Sequence, residues 1–159
     1  MSSRVKLLVL PTVAVLVVAG LAYFGPGSTA QAQDLSLASL GSERLTDREL
    51  QRGATVVVVW ASWSPKCRNI VQRVNAIERQ WGSKARVVTV DFQEDRSEVE
   101  SFLAGKNLSA PVFLDSDGAF SKKYAVTTLP GMLVFKDGSA AYRGKLPDDP
   151  NPVLTDILG

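Results

Sequence analysis

Among the 159 residues there is one thiol, that of Cys67, and there is no histidine. Cys67 stands between Lys66 and Arg68, three residues after Ser64. Ser64-Pro65 suits the start of a helix: serine is a preferred N-cap, and proline needs no N–H partner in the first turn. A thiol in that first turn, beside two cations, is placed where the thiolate is favoured. Burial acts the other way, against the charged form. Two readings of Cys67 therefore stand side by side, a redox thiol and a small core residue. Ser64 as a nucleophile would need a base, and no histidine is present to serve. As an N-cap it explains itself, at ~1 kcal/mol of helix stability. Without histidine, a Ser–His triad and a Cys–His pair are excluded. With one cysteine besides, so are the usual zinc, haem and iron–sulfur ligand sets. No cofactor and no metal are implied.

The elements that must position Cys67 are readable around it. Val56 to Val59 and Trp60 form an apolar run without alternation, the pattern of a central strand covered on both faces. A helix is expected over Ser64–Trp81. Cys67, Ile70, Val74, Ile77 and Trp81 fall on one stripe, which puts the thiol on the buried face. Gly82 ends this helix, and Val87–Val90 is a second buried strand ending at Asp91. Strand, helix, strand at this length implies a parallel crossover. Asp95 with Glu98 makes a capping box for another helix, stopped by Gly105. Val112–Leu114 reads as a short strand, and Phe120 and Tyr124 pair on a short helix. Met132–Phe135 and Ala140–Arg143 form a hairpin around Asp137-Gly138. Upstream, Gln33–Leu45 offers an edge strand or a lead-in, and Thr46–Leu50 a short capped helix. Pro147–Pro152 reads as a polar break, and Val153–Leu158 as a last helix.

Arg4 and Lys6 are the only charged residues of the first 32, and the rest of the chain carries 16 charges of each sign. The net charge of +2 thus belongs to the leader, and no basic patch argues for nucleic acid. Leu7–Phe24 is apolar apart from Thr12, and Ala30-Gln31-Ala32 is an A-x-A cleavage signal. Residues 1–32 read as a signal peptide or, with a run close to membrane-spanning length, an uncleaved anchor. Residues 33–159 are expected to form one domain. Either form of leader implies export, and a lone cysteine in an oxidising compartment has no internal partner.

Trp60-Ala61-Ser62-Trp63-Ser64-Pro65-Lys66-Cys67-Arg68 resembles the WASWCxxCR signature of thioredoxin-like proteins, in particular the TlpA-type thiol–disulfide oxidoreductases of bacterial envelopes. Tyr124 to Pro130 is similar to the Y-x-V-x-x-x-P segment of that family. The resemblance, from about Leu45 to Gly144, implies an α/β thioredoxin fold: a central mixed sheet with helices on both faces. The departure is that Ser64 replaces the first cysteine, so CxxC has become SxxC and no internal disulfide can close. Val58 stands where the family usually carries a polar or acidic group beneath the cysteines, to assist proton transfer.

The resemblance also implies a cis Leu129–Pro130 bend against the active-site turn, pairing with an extended substrate peptide. Trp63, Pro65, Lys66, Leu129 and Pro130 are the implied substrate-binding residues, with Trp63 as an exposed anchor. The implied partner is a cysteine-containing or disulfide-bonded protein of the periplasm or envelope. Three functions follow: monothiol thiol–disulfide exchange through Cys67, a redox-inactive peptide-binding module, and a one-cysteine peroxiredoxin-like peroxidase. The last rests on Ser64-Pro65-Lys66-Cys67 as a [TS]xxC motif. It lacks the proline expected four residues earlier, where Trp60 stands.

Overall fold

The valines of Val56–Val59 lie in an interior strand of a seven-stranded sheet, buried on both faces as an apolar run without alternation requires. The computed structural model describes residues 34–159; the leader reading of 1–32 lies outside them. β1 (Ser36–Ser39) and β2 (Arg44–Thr46) lead into helix α1 (Asp47–Leu50) and the central strand β3 (Ala54–Trp60). A 3-10 turn (Pro65–Cys67) precedes α2 (Ile70–Trp81), and β4 (Arg86–Phe92), α3 (Arg96–Leu103) and β5 (Val112–Asp115) follow. The chain ends with α4 (Ala119–Lys123), β6 (Gly131–Lys136), β7 (Ser139–Lys145) and α5 (Asn151–Leu158). The strand order is β2-β1-β5-β4-β3-β6-β7. β3 runs parallel to β4 and antiparallel to β6, in a register that pairs Val58 with Thr89 and Trp60 with Asp91.

The period of two along β3 divides the core. Val56, Val58 and Trp60 pack with Cys67, Ile70, Val74, Val99 and Leu154, so α2, α3 and α5 cover that face. Val57 and Val59 pack with Leu45, Leu50, Phe113 and Phe120, beneath α1 and α4. Each such side chain contributes roughly 1.5–3 kcal/mol by leaving water. The mixed sheet with helices on both faces is the fold expected from the sequence.

Local chemistry decides most of the boundaries. Thr46 with Glu49 and Asp95 with Glu98 each close a reciprocal capping box, at α1 and α3. Asp137 and Gly138 both have positive φ, 49° and 85°, as the tight turn between β6 and β7 requires. Three expectations are corrected. Residues 36–46 form two short paired strands, β1 and the edge strand β2, rather than a single strand, with Leu37 opposite Leu45. The last helix starts at Asn151, inside the stretch read as a break, because Pro152 falls in its first turn, where a missing N–H costs nothing. The helix expected over Ser64–Trp81 is split. The Cys67 N–H bonds the Ser64 carbonyl at 2.9 Å, an i to i+3 closure, and Asn69 leaves helical geometry at φ −103°, ψ 21°. The α-helix proper starts only at Ile70.

Candidate functional site

The C-terminal end of β3 delivers Ala61-Ser62-Trp63-Ser64 to the edge of the domain as a tight turn. The Ser64 N–H bonds the Ala61 carbonyl at 3.3 Å. Ser62 is tied to the end of the neighbouring strand. Its N–H donates to Glu94 Oε2 at 2.6 Å, and its hydroxyl donates to Glu94 Oε1. Trp63, next along, is left 60 % exposed, the one large apolar side chain so placed among the described residues. The ring leaves a large apolar surface open to solvent at the lip of a groove.

The opposing wall comes from the loop after α4. The Val126 N–H bonds the Ser121 carbonyl at 2.8 Å, and the chain then runs through Thr127, Thr128 and a cis Leu129–Pro130 bond. Gly131 fits a tight space here: a Cβ would stand 3.0 Å from the Thr128 carbonyl oxygen and 3.2 Å from Val126. Between the two walls lies a mostly apolar groove of about 560 Å³, lined by Trp63, Ser64, Pro65, Lys66, Phe92 and Leu129 among others. A second cleft, of about 620 Å³, is lined by Lys66, Arg73, Pro130 and Lys145 with Asn69 and Asp148. Pro130 is buried and borders only this second cleft, and its carbonyl accepts from the Leu146 N–H at 2.9 Å. Of the residues singled out in the sequence, Trp63, Ser64, Pro65, Lys66 and Leu129 therefore line one groove, and Pro130 stands beside it.

Cys67 lines neither cleft. It is 1 % exposed and belongs to the core layer with Val58 and Trp60. Ser64 does not cap with its side chain; its carbonyl, not its hydroxyl, receives the Cys67 N–H, and its side chain is buried. Cys67 closes a three-residue 3-10 turn ahead of α2 and does not lie within the first turn of that helix, where the sequence placed it.

Sequence reasoning missed a carboxyl cluster under the Ser62–Trp63 turn. Asp91 is fully buried, and neither of its oxygens receives a hydrogen bond. Burial pushes its carboxyl up to about 9, reinforced by the Glu94 side chain within hydrogen-bond reach and by the charges of Glu94, Glu98 and Asp115. Asp115 accepts the Phe120 and Ser121 N–H groups at 2.8 and 2.9 Å, and so anchors the start of α4. The available signal was an acid ending an apolar strand, which read only as a strand boundary. On the other face, Asp47 accepts from the Lys123 ammonium (2.6 Å), the Tyr124 hydroxyl (2.8 Å) and the Leu35 N–H (2.8 Å). Burial raises the Asp47 carboxyl, but these donors outweigh it and hold the group below its ordinary range. Burial and the Asp47 bond push Tyr124 up.

The redoxin family model matches residues 26–158. Thiol:disulfide interchange protein DsbE of Escherichia coli K12 is 33 % identical over 107 residues, 65 % of this chain and 55 % of that protein. Sporulation thiol-disulfide oxidoreductase A of Bacillus subtilis is 22 % identical over 122 residues, 74 % of this chain and 67 % of that protein. The matches thus span between 55 % and 67 % of the length of these two relatives. The crystal structure of StoA from Bacillus subtilis superposes with a TM-score of 0.64 at 21 % identity, over 76 % of this chain and 92 % of that one. The exposed lipoprotein thioredoxin of Streptococcus pneumoniae gives 0.67 at 17 % identity, over 78 % and 97 %. These likenesses show the thioredoxin-like fold. The family match over most of its length makes the chain a member of the redoxin family, similar to proteins named as thiol–disulfide oxidoreductases.

Proposed function

We propose that this protein holds an extended, cysteine-bearing segment of an envelope protein in the groove beside Trp63, and that it does not turn over as a redox catalyst. One contrast carries the reading. The lone thiol is 1 % exposed, while the aromatic ring at the groove is 60 % exposed. A dithiol enzyme releases its substrate by closing an internal disulfide, and SxxC has no second sulfur for that step. The groove does not need the thiol: its walls are the Trp63–Lys66 turn and the Val126–Leu129 loop. Export belongs to this reading, on the strength of Arg4, Lys6, the apolar run and Ala30-Gln31-Ala32. Cleavage after Ala32 predicts a mature mass beginning at Gln33; an intact chain held in membranes replaces cleavage with an anchor.

Monothiol exchange is the second reading, favoured because Cys67 directly follows Lys66, which lines both clefts. In it the Cys67 thiolate attacks one sulfur of a partner disulfide. A mixed disulfide forms, the other partner sulfur leaves as a thiolate, and an external thiol must release the protein. Incubation with oxidised glutathione followed by mass spectrometry separates the two. The binding reading expects no adduct on Cys67 in the folded protein and one after denaturation, with quenching of Trp63 fluorescence by a cysteine-bearing peptide. A single adduct on the folded protein, without catalytic reduction, puts monothiol exchange in its place.

A further inference from the structure

We propose that Asp91 and Glu94 share one proton, and that this acid–carboxylate pair positions the Ala61–Trp63 turn and with it the Trp63 wall of the groove. Asp91 is 0 % exposed and Glu94 is 5 % exposed, so water screens neither. The two side chains lie within hydrogen-bond reach of each other, yet no N–H or O–H of the described residues points at either Asp91 oxygen. Two carboxylates cannot both stay charged at that separation in a sealed site. The groups acting on Asp91 from the packed elements are Glu94 after β4, Glu98 on α3 and Asp115 on β5, all of the same sign. A proton between the two resolves the contact. Glu94 already accepts the N–H and the hydroxyl of Ser62, so it is the acceptor and Asp91 the donor.

The chain of hydrogen bonds then runs from Asp91 to Glu94 to the Ser62 backbone, one residue from Trp63. It bridges the ends of the two adjacent parallel strands where Trp60 pairs with Asp91. Above the pH at which Asp91 loses its proton, the pair carries two charges, Glu94 is driven away, and Ser62 loses the acceptor that fixes its turn. Asp91 and Glu94 are thus positioning residues; neither lines the groove. The positioning role rests on the groove being the working site, whereas the shared proton does not.

Two readouts test this on the purified protein. Trp60 and Trp81 are buried, so iodide quenching of tryptophan fluorescence reports on Trp63. The wild type should show a rise in quenching with a midpoint near 9, and Asp91→Asn, whose amide donates to Glu94 at every pH, should lose that transition. Carboxyl carbon NMR on labelled aspartate should show one resonance titrating near 9 that is missing in Asp91→Asn. Glu94→Gln gives Asp91 a donor and should move that midpoint down by about one pH unit or more. An Asp91 resonance in the ordinary carboxylate range, or an unchanged quenching profile in Asp91→Asn, overturns the proposal. If both transitions appear but the cysteine-bearing peptide binds at no pH, the groove reading fails while the proton-sharing pair stands.

Discussion

Replacing Asp91 by asparagine should make the protein more stable, by an amount that grows with pH. The native Asp91 carboxyl is raised from 3.8 to about 9. Between those values the folded state keeps a proton that the unfolded chain has released. Protons bound by the native state alone lower stability as pH rises, at about 1.4 kcal/mol per pH unit, until the native group itself titrates. The contribution is therefore greatest in acid, falls steadily through neutral pH, and levels off above about 9. From pH 5 to pH 8 the expected loss is on the order of 4 kcal/mol, a large share of the roughly 5–15 kcal/mol that holds a domain of this size folded. Asparagine fits the same space and donates to Glu94 but does not titrate, so the variant should lack this slope. Urea unfolding of both proteins, followed by tryptophan fluorescence at pH 5 and pH 8, measures it. All other titrating groups cancel in the difference between the two proteins, provided they lie apart from the pair. The stability difference should shift in favour of the variant by about 4 kcal/mol between the two pH values. Parallel pH profiles would refute the reasoning, because they would mean that Asp91 is ionised in both states or in neither.

Ser64→Cys restores a CxxC sequence, but Val58 supplies no titrating side chain on β3 beside the restored pair; insulin reduction should be weak, and should rise on adding Val58→Asp, at some cost in stability from the buried carboxyl. Full activity from Ser64→Cys alone would discard the role given to Val58. Asp47→Asn weakens acceptance from the Lys123, Tyr124 and Leu35 donors and should cost about 1–3 kcal/mol at neutral pH. Because the native Asp47 carboxyl is held below its ordinary range, that difference should narrow as pH falls through the range from the unfolded value downwards, which thermal melts in acid can follow.

Several features of this molecule were legible in the chain because their causes are local. An unalternating Val56–Trp60 run has to be a central strand, and Thr46/Glu49 and Asp95/Glu98 carry both halves of a capping box within four residues. Asp137-Gly138 supplies the two positive φ values that its hairpin needs. The redox motif was equally plain, and so was its defect, since Ser64 and the single cysteine can be read without coordinates. The stripe from Cys67 to Trp81 foretold the burial of the thiol, even though the helix itself starts only at Ile70. That offset has a local cause too weak to read: one i to i+3 bond, from Cys67 to Ser64, was preferred over an α-helical one.

The sequence by itself determined the strand–turn–helix frame, the missing second sulfur and the family to which both point. The tertiary structure alone decided what surrounds the turn. Ser62 and Glu94 are separated by 32 residues, and only the parallel register of β3 with β4 brings them together. Asp91 reads in the chain as an ordinary acid at the end of a strand. It becomes a proton-holding group because the fold buries it completely and brings Glu94, Glu98 and Asp115 near it. Burial and charge proximity are sums over every neighbour in three dimensions, and no spacing along one segment encodes them.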